Sequence, residues 1–107
     1  MRKVTEQTCS AFLSGEIARC GNTCTAITGN EIFLVLHGKT IAKRTLDDNS
    51  IVWVTLAGWP TVTTRDRLNG LCHMLGKGRF YQSKGEQYFT TPQGEVPIDC
   101  HDWIRLF

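Results

Sequence analysis

Alternation of apolar and polar positions organises the chain from residue 23 onward. Thr23 to Thr28 is β-prone and runs into the turn pair Gly29-Asn30. Glu31 to His37 follows, with Ile32, Leu34 and Leu36 on one face and Phe33 and Val35 on the other. A strand apolar on both faces is expected in the middle of a sheet, covered on both sides. Gly38-Lys39 has the Gly-first form of a type II′ hairpin loop, which sets Leu36 opposite Ile41 and Val35 opposite Ala42. Asp47-Asp48-Asn49 turns the chain again into Ser50 to Leu56, whose Ile51-Val52-Trp53-Val54 centre is β-branched and aromatic. An antiparallel meander is the expected result.

Two segments switch to helical spacing. In Thr63 to Leu75, residues Leu68, Leu71, Cys72 and Leu75 recur at i, i+3, i+4 and i+7, one apolar stripe. Thr63-x-x-Asp66 reads as a capping box with Asp in place of Glu, Pro60 ends the preceding strand, and Gly76 and Gly78 offer stops. Gln7 to Ile17 is a weaker helical segment, with Cys9, Phe12, Leu13 and Ile17 fitting one face loosely, and Gly21-Asn22 turns the chain after it.

Beyond the strong helix, Gly78 to Ser83 and Glu86 to Thr90 form a second hairpin around Lys84-Gly85. That loop pairs Tyr81 with Tyr88 and Phe80 with Phe89 and separates two faces. Arg79, Tyr81, Tyr88 and Thr90 line one; Phe80, Gln82, Gln87 and Phe89 line the other. The tail holds Val96 to Ile98 and closes on Trp103-Ile104-Arg105-Leu106-Phe107, an aromatic end expected to pack onto the body. The pattern as a whole predicts an α+β fold: an antiparallel sheet of five or six strands, one well-defined helix and a weaker N-terminal helical segment.

Composition narrows the class. The 107 residues suit one domain, 1–107, and 41% hydrophobic with 21% charged residues is ordinary globular content. The formal charge of +2 permits nucleic-acid contact without demanding it. No apolar run follows the basic residues at the N-terminus, and Ile32 to Leu36 is far too short to cross a bilayer, so a soluble, intracellular protein without a membrane partner is expected. The five cysteines are odd in number and exclude a complete internal disulfide framework.

Candidate chemistry is sparse. Cys20-x-x-x-Cys24, Cys72-His73 and Cys100-His101 could supply four zinc ligands, but the ligands are split across distant segments. Free thiols, with Cys72 on the apolar stripe, are the preferred reading, and no cofactor is expected. Cys72 and His73 point about 100° apart on a helix and cannot form a nucleophile–base pair directly. With no phosphate loop and no assembled acid–base set, a binding role is preferred to an enzyme.

The binding candidates are Arg65, Arg67, Asn69, Arg79, Tyr81 and Tyr88. Arg65 and Arg67 lie off the apolar stripe near the helix start, where cations oppose the helix dipole, so they are expected to project into solvent for a partner. Asn69 is unexplained by packing and could cap locally or be exposed for recognition. Arg79 beside Tyr81 and Tyr88 could hold phosphates and stack bases.

Three segments carry a resemblance: Ala11-Phe12-Leu13-Ser14-Gly15 with Gly21-Asn22-Thr23, then Leu36 to Ala42, then Gly58-Trp59-Pro60-Thr61-Val62-Thr63-Thr64-Arg65-Asp66-Arg67-Leu68-Asn69. With Phe80-Tyr81-Gln82 after them, the chain resembles a group of small uncharacterised proteins of tailed bacteriophages, most specifically in its Gly-Trp-x-Thr-x-Thr-Thr-x-x-Arg-Leu-Asn block. The cysteines are not part of the resemblance. It implies a phage gene product acting in the cytoplasm of an infected bacterium and brings no activity with it. The functional expectation is therefore an accessory protein that binds a host protein or complex and inhibits a defence or regulatory component. The alternatives are a nucleic-acid-binding module using a basic and aromatic sheet face, and a small zinc-stabilised domain.

Overall fold

The computed structural model describes residues 2–106, apart from the side chain of Asn49. Phe107, part of the expected aromatic end, lies outside the described residues. Helix α1 (Lys3–Ser14) opens the chain. Strands β1 (Arg19–Cys20), β2 (Thr23–Thr28), β3 (Glu31–Leu36), β4 (Lys39–Thr45) and β5 (Asp48–Val54) follow as an antiparallel meander. After helix α2 (Val62–Leu75) come β6 (Phe80–Ser83), β7 (Glu86–Thr91), β8 (Gly94–Ile98) and β9 (Ile104–Leu106). Strand β9 returns to pair with β5, so the larger sheet has six strands in the order β1-β2-β3-β4-β5-β9, and β6-β7-β8 form a separate sheet of three. The fold is α+β with two helices.

Each hairpin is tight because small or turn-forming residues fall between alternating runs. The second hairpin has the expected register, with Tyr81 opposite Tyr88 and Phe80 opposite Phe89. The β3–β4 loop is corrected by one residue. It is His37-Gly38, with φ of 51° and 76°, the two positive values a type I′ turn needs. Leu36 therefore faces Lys39 and Val35 faces Thr40, and a bulge between Leu34 and Val35 puts Leu34, not Val35, opposite Ala42. The bulge lets Ile41 and Ala42 both bury. The next turn is Leu46-Asp47, so β5 begins at Asp48 rather than Ser50.

One face of the larger sheet carries the core. Leu34, Ala42 and Val54 lie in one cross-strand row and are fully buried against Phe12 of α1 and Leu68 and Leu71 of α2. Phe80 and Phe89 of the smaller sheet join the same core, their rings 4.9 Å apart. Both helix starts shift from expectation. Helix α2 is capped by Thr61, whose hydroxyl accepts the Thr64 N–H at 3.1 Å, not by Thr63, and it ends on Gly76 as expected. Helix α1 starts four residues early because its buried stripe is Thr5, Thr8, Cys9 and Phe12. Two hydroxyls hide that stripe from an apolar count. Thr8 bonds the Val4 carbonyl and Thr5 bonds the Asp66 carboxylate, so both bury without an unmet donor. Ile17 is beyond the helix and 67% exposed, off the face assigned to it.

Candidate functional site

The structure brings four of the six sequence-derived binding residues, Arg65, Asn69, Arg79 and Tyr81, to one shallow groove between α2 and β6. Tyr88 stands beside Tyr81, ring centroids 5.3 Å apart and nearly parallel. Arg67 is taken away from it. It is 3% exposed, and the expectation that it projects into solvent is overturned. Its guanidinium donates to Thr23 Oγ1 at 2.9 Å, Thr5 Oγ1 at 2.8 Å, Asp66 Oδ2 at 2.7 Å and Asn22 Oδ1 at 3.3 Å. Asp66 is thus an ion-pair and hydrogen-bond acceptor for α1 and Arg67, not a helix cap.

The remaining helix-side groups are also spent within the fold. Arg65 is half-buried, and its Nη1 donates to the Pro60 carbonyl at 2.8 Å and to Gln82 and Gln87 at 3.1 and 3.0 Å. It clamps α2 to the smaller sheet instead of standing free. Asn69 donates to the Phe80 carbonyl at 2.9 Å and accepts the Phe80 N–H at 2.7 Å, imitating a strand neighbour. The mild cost of cations near a helix start is met by these bonds.

On the tyrosine face, carboxylates stand where phosphates would have to sit. Tyr88 reaches Glu86 Oε2 at 3.4 Å, and a hydrogen bond to Glu95 is the main cause that pushes the Tyr81 hydroxyl up to about 12. Arg79 is exposed at its edge.

A second aromatic and basic face emerges only from the strand register. Ala26, Phe33, Lys43, Trp53 and Arg105 are successive cross-strand partners on the outer face of the six-stranded sheet. Trp103, next to β9, lies beside them, with Lys43 Nζ 4.3 Å from its ring centroid. Trp53 is 37% and Trp103 40% exposed, while Phe33, Val35 and Ile51 are half-buried. Among the described residues neither helix lies on this face, since both pack on the opposite one. The expectation that β3 is covered on both sides is corrected accordingly. Exposed Glu31, Thr45 and Asp48 rim one end. The alternation of Phe33 and Trp53 was visible in the sequence, but their placement on either side of Lys43 depended on the corrected β3–β4–β5 register.

The proposed zinc ligands do not converge. By register Cys20 shares the inner sheet face with Thr23, whereas Cys24 shares the outer face with Val35. Cys72 is in the core beside exposed His73, and burial pushes its thiol and that of Cys9 up to about 12. Cys100 and His101 sit beyond the opposite sheet edge, near Gly58. There Cys100 Sγ and Asp99 Oδ1 both face His101 Nδ1, at 3.6 and 3.2 Å. A relay triad needs its acid and its nucleophile on different ring nitrogens, so this is not one.

Comparison with known proteins gives one finding and two empty results. The family model described as Kyanoviridae Gp96 protein matches residues 1–105. No curated protein and no solved structure matches the chain.

Proposed function

The chain belongs to the Kyanoviridae Gp96 family, a family of cyanophage proteins, and from that premise we propose that it is an accessory protein that binds a host protein in the infected cell. The supporting observation is the outer face of the larger sheet, where Trp53, Trp103 and Phe33 surround Lys43. Exposed aromatics at the centre of a patch with a polar rim are the usual anatomy of protein interfaces, and tryptophan is prominent among residues that carry binding energy. A domain this small acts most simply by covering a working surface of its partner, which fits inhibition of a defence or regulatory component. No helix of the described residues is long and apolar enough to cross a membrane. The protein is placed in the host cytoplasm as part of the same reading.

A nucleic-acid reading uses the same face, with bases stacked on Trp53 and phosphates at Lys43 and Arg105. Glu31 and Asp48 at its end and a chain charge of only +2 favour a protein. Capture from host lysate with and without nuclease separates the two. A protein partner stays bound after nuclease and shows moderate salt sensitivity. Loss of all capture on nuclease treatment, with a steep salt dependence, would replace this reading by the nucleic-acid one.

A further inference from the structure

We propose that Asp99, Cys100 and His101 form a binding site for a borderline divalent transition-metal ion of the zinc or cobalt type. Their donor atoms share one space. Asp99 Oδ1 lies 3.2 Å and Cys100 Sγ 3.6 Å from His101 Nδ1, and each residue offers a donor atom within 4.8 Å of those of the other two. Zinc binds thiolate sulfur at about 2.3 Å and imidazole nitrogen or carboxylate oxygen at about 2.0–2.2 Å in a tetrahedron. Neighbouring ligands of such a site are roughly 3.3–3.8 Å apart, so both short separations are close to tetrahedral edges. Thiolate, imidazole and carboxylate together suit zinc or cobalt, whereas calcium and magnesium take oxygen ligands.

The loop is held by the fold. The Cys100 carbonyl accepts the Gly58 N–H at 2.8 Å, which ties it to the exit of β5. The Asp99 carboxylate accepts the His101 N–H at 2.8 Å, and Asp102 accepts the Asp99 N–H at 3.0 Å. The imidazole lies over Gly58 so closely that a Cβ there would sit 2.8 Å from Nε2. This packing turns Nδ1 toward Asp99 and Cys100. Ligation releases one proton: the thiol gives it to solvent as the sulfur–metal bond forms. His101 binds as the neutral ring through its Nδ1 lone pair, keeping its proton on Nε2. Three protein ligands leave a fourth position, which the exposure of Asp99 and His101 opens to water.

The test is cobalt(II) titration of the fully reduced full-length protein, followed by absorption. Saturable thiolate-to-cobalt charge transfer in the near ultraviolet and the visible bands of tetrahedral cobalt are expected. Cys100→Ser should abolish the charge-transfer band, and Asp99→Asn and His101→Ala should each weaken binding by at least about tenfold. Cys20→Ser and Cys24→Ser should titrate as the parent does. Circular dichroism should show every variant folded, because Asp99 and His101 are exposed and each serine replaces a half-buried cysteine at nearly constant volume. A parent without the band at millimolar cobalt, a band that survives Cys100→Ser, or a band lost in Cys20→Ser or Cys24→Ser would overturn the site.

Discussion

Arg67 joins three elements through one side chain, since its partners Thr5, Asp66 and Thr23 come from α1, α2 and β2. Removing it leaves a carboxylate and two buried hydroxyls short of a partner. Arg67→Ala should therefore cost about 3–5 kcal/mol in urea unfolding, while exposed Arg79→Ala should stay within about 0.5 kcal/mol. Arg67→Lys should recover only part of the loss, because an ammonium cannot reproduce the planar fork. An Arg67→Ala protein as stable as its parent would remove the network from the fold's support. The thiols give a second prediction at this scale. Cys20, Cys24 and Cys100, half-buried, should react with a thiol reagent in the native protein, and Cys9 and Cys72 only after unfolding. Burial raises both core thiols from 9.0 to about 12, above their value in the unfolded chain. Their stabilising contribution is thus complete below about pH 9 and is lost as pH rises toward 12, when the unfolded state ionises first. Melts between pH 8 and 11 should show the fall, and a Cys72→Ala variant should show less of it.

At the scale of elements, the α2 cap separates two neighbouring threonines. Thr61→Ala should cost about 1 kcal/mol, and Thr63→Ala should cost less than half of that, by denaturant melts of both. Equal losses would return the cap to Thr63. Leu71→Ala, at a fully buried position, should cost roughly 2–5 kcal/mol. The contrast shows what was legible before the structure. Thr23–Thr28, the Lys84-Gly85 hairpin and the α2 stripe were readable because period and turn chemistry agreed there. The early start of α1 was not, since buried Thr5 and Thr8 read as polar surface. The β3–β4 loop misled because both Gly38-Lys39 and His37-Gly38 are acceptable turn pairs, and the choice depends on a bulge made by tertiary packing. The candidate site was harder to read for a related reason. Arg65, Arg67 and Asn69 were recognised as having work beyond the apolar stripe, but the work is holding α2 to its neighbours. Sequence spacing cannot tell an arginine bound to a partner from one bound to its own fold.

At the scale of the whole molecule, the helices and the smaller sheet's phenylalanines share one core and leave the outer face of the larger sheet to solvent. Trp53 arrives there from β5 and Trp103 from the residue before β9, about half the chain away, so the patch exists only in the folded protein. The claim that this face is the docking surface is tested most directly by one comparison: capture of the host partner by the Trp53→Ala/Trp103→Ala protein and by the Tyr81→Ala/Tyr88→Ala protein. Both must first be shown folded by circular dichroism. The account predicts that the tryptophan pair loses capture by more than about tenfold, as expected for two interface anchors, while the tyrosine pair captures like the parent. Undiminished capture by the tryptophan variant, or loss confined to the tyrosine variant, would contradict it.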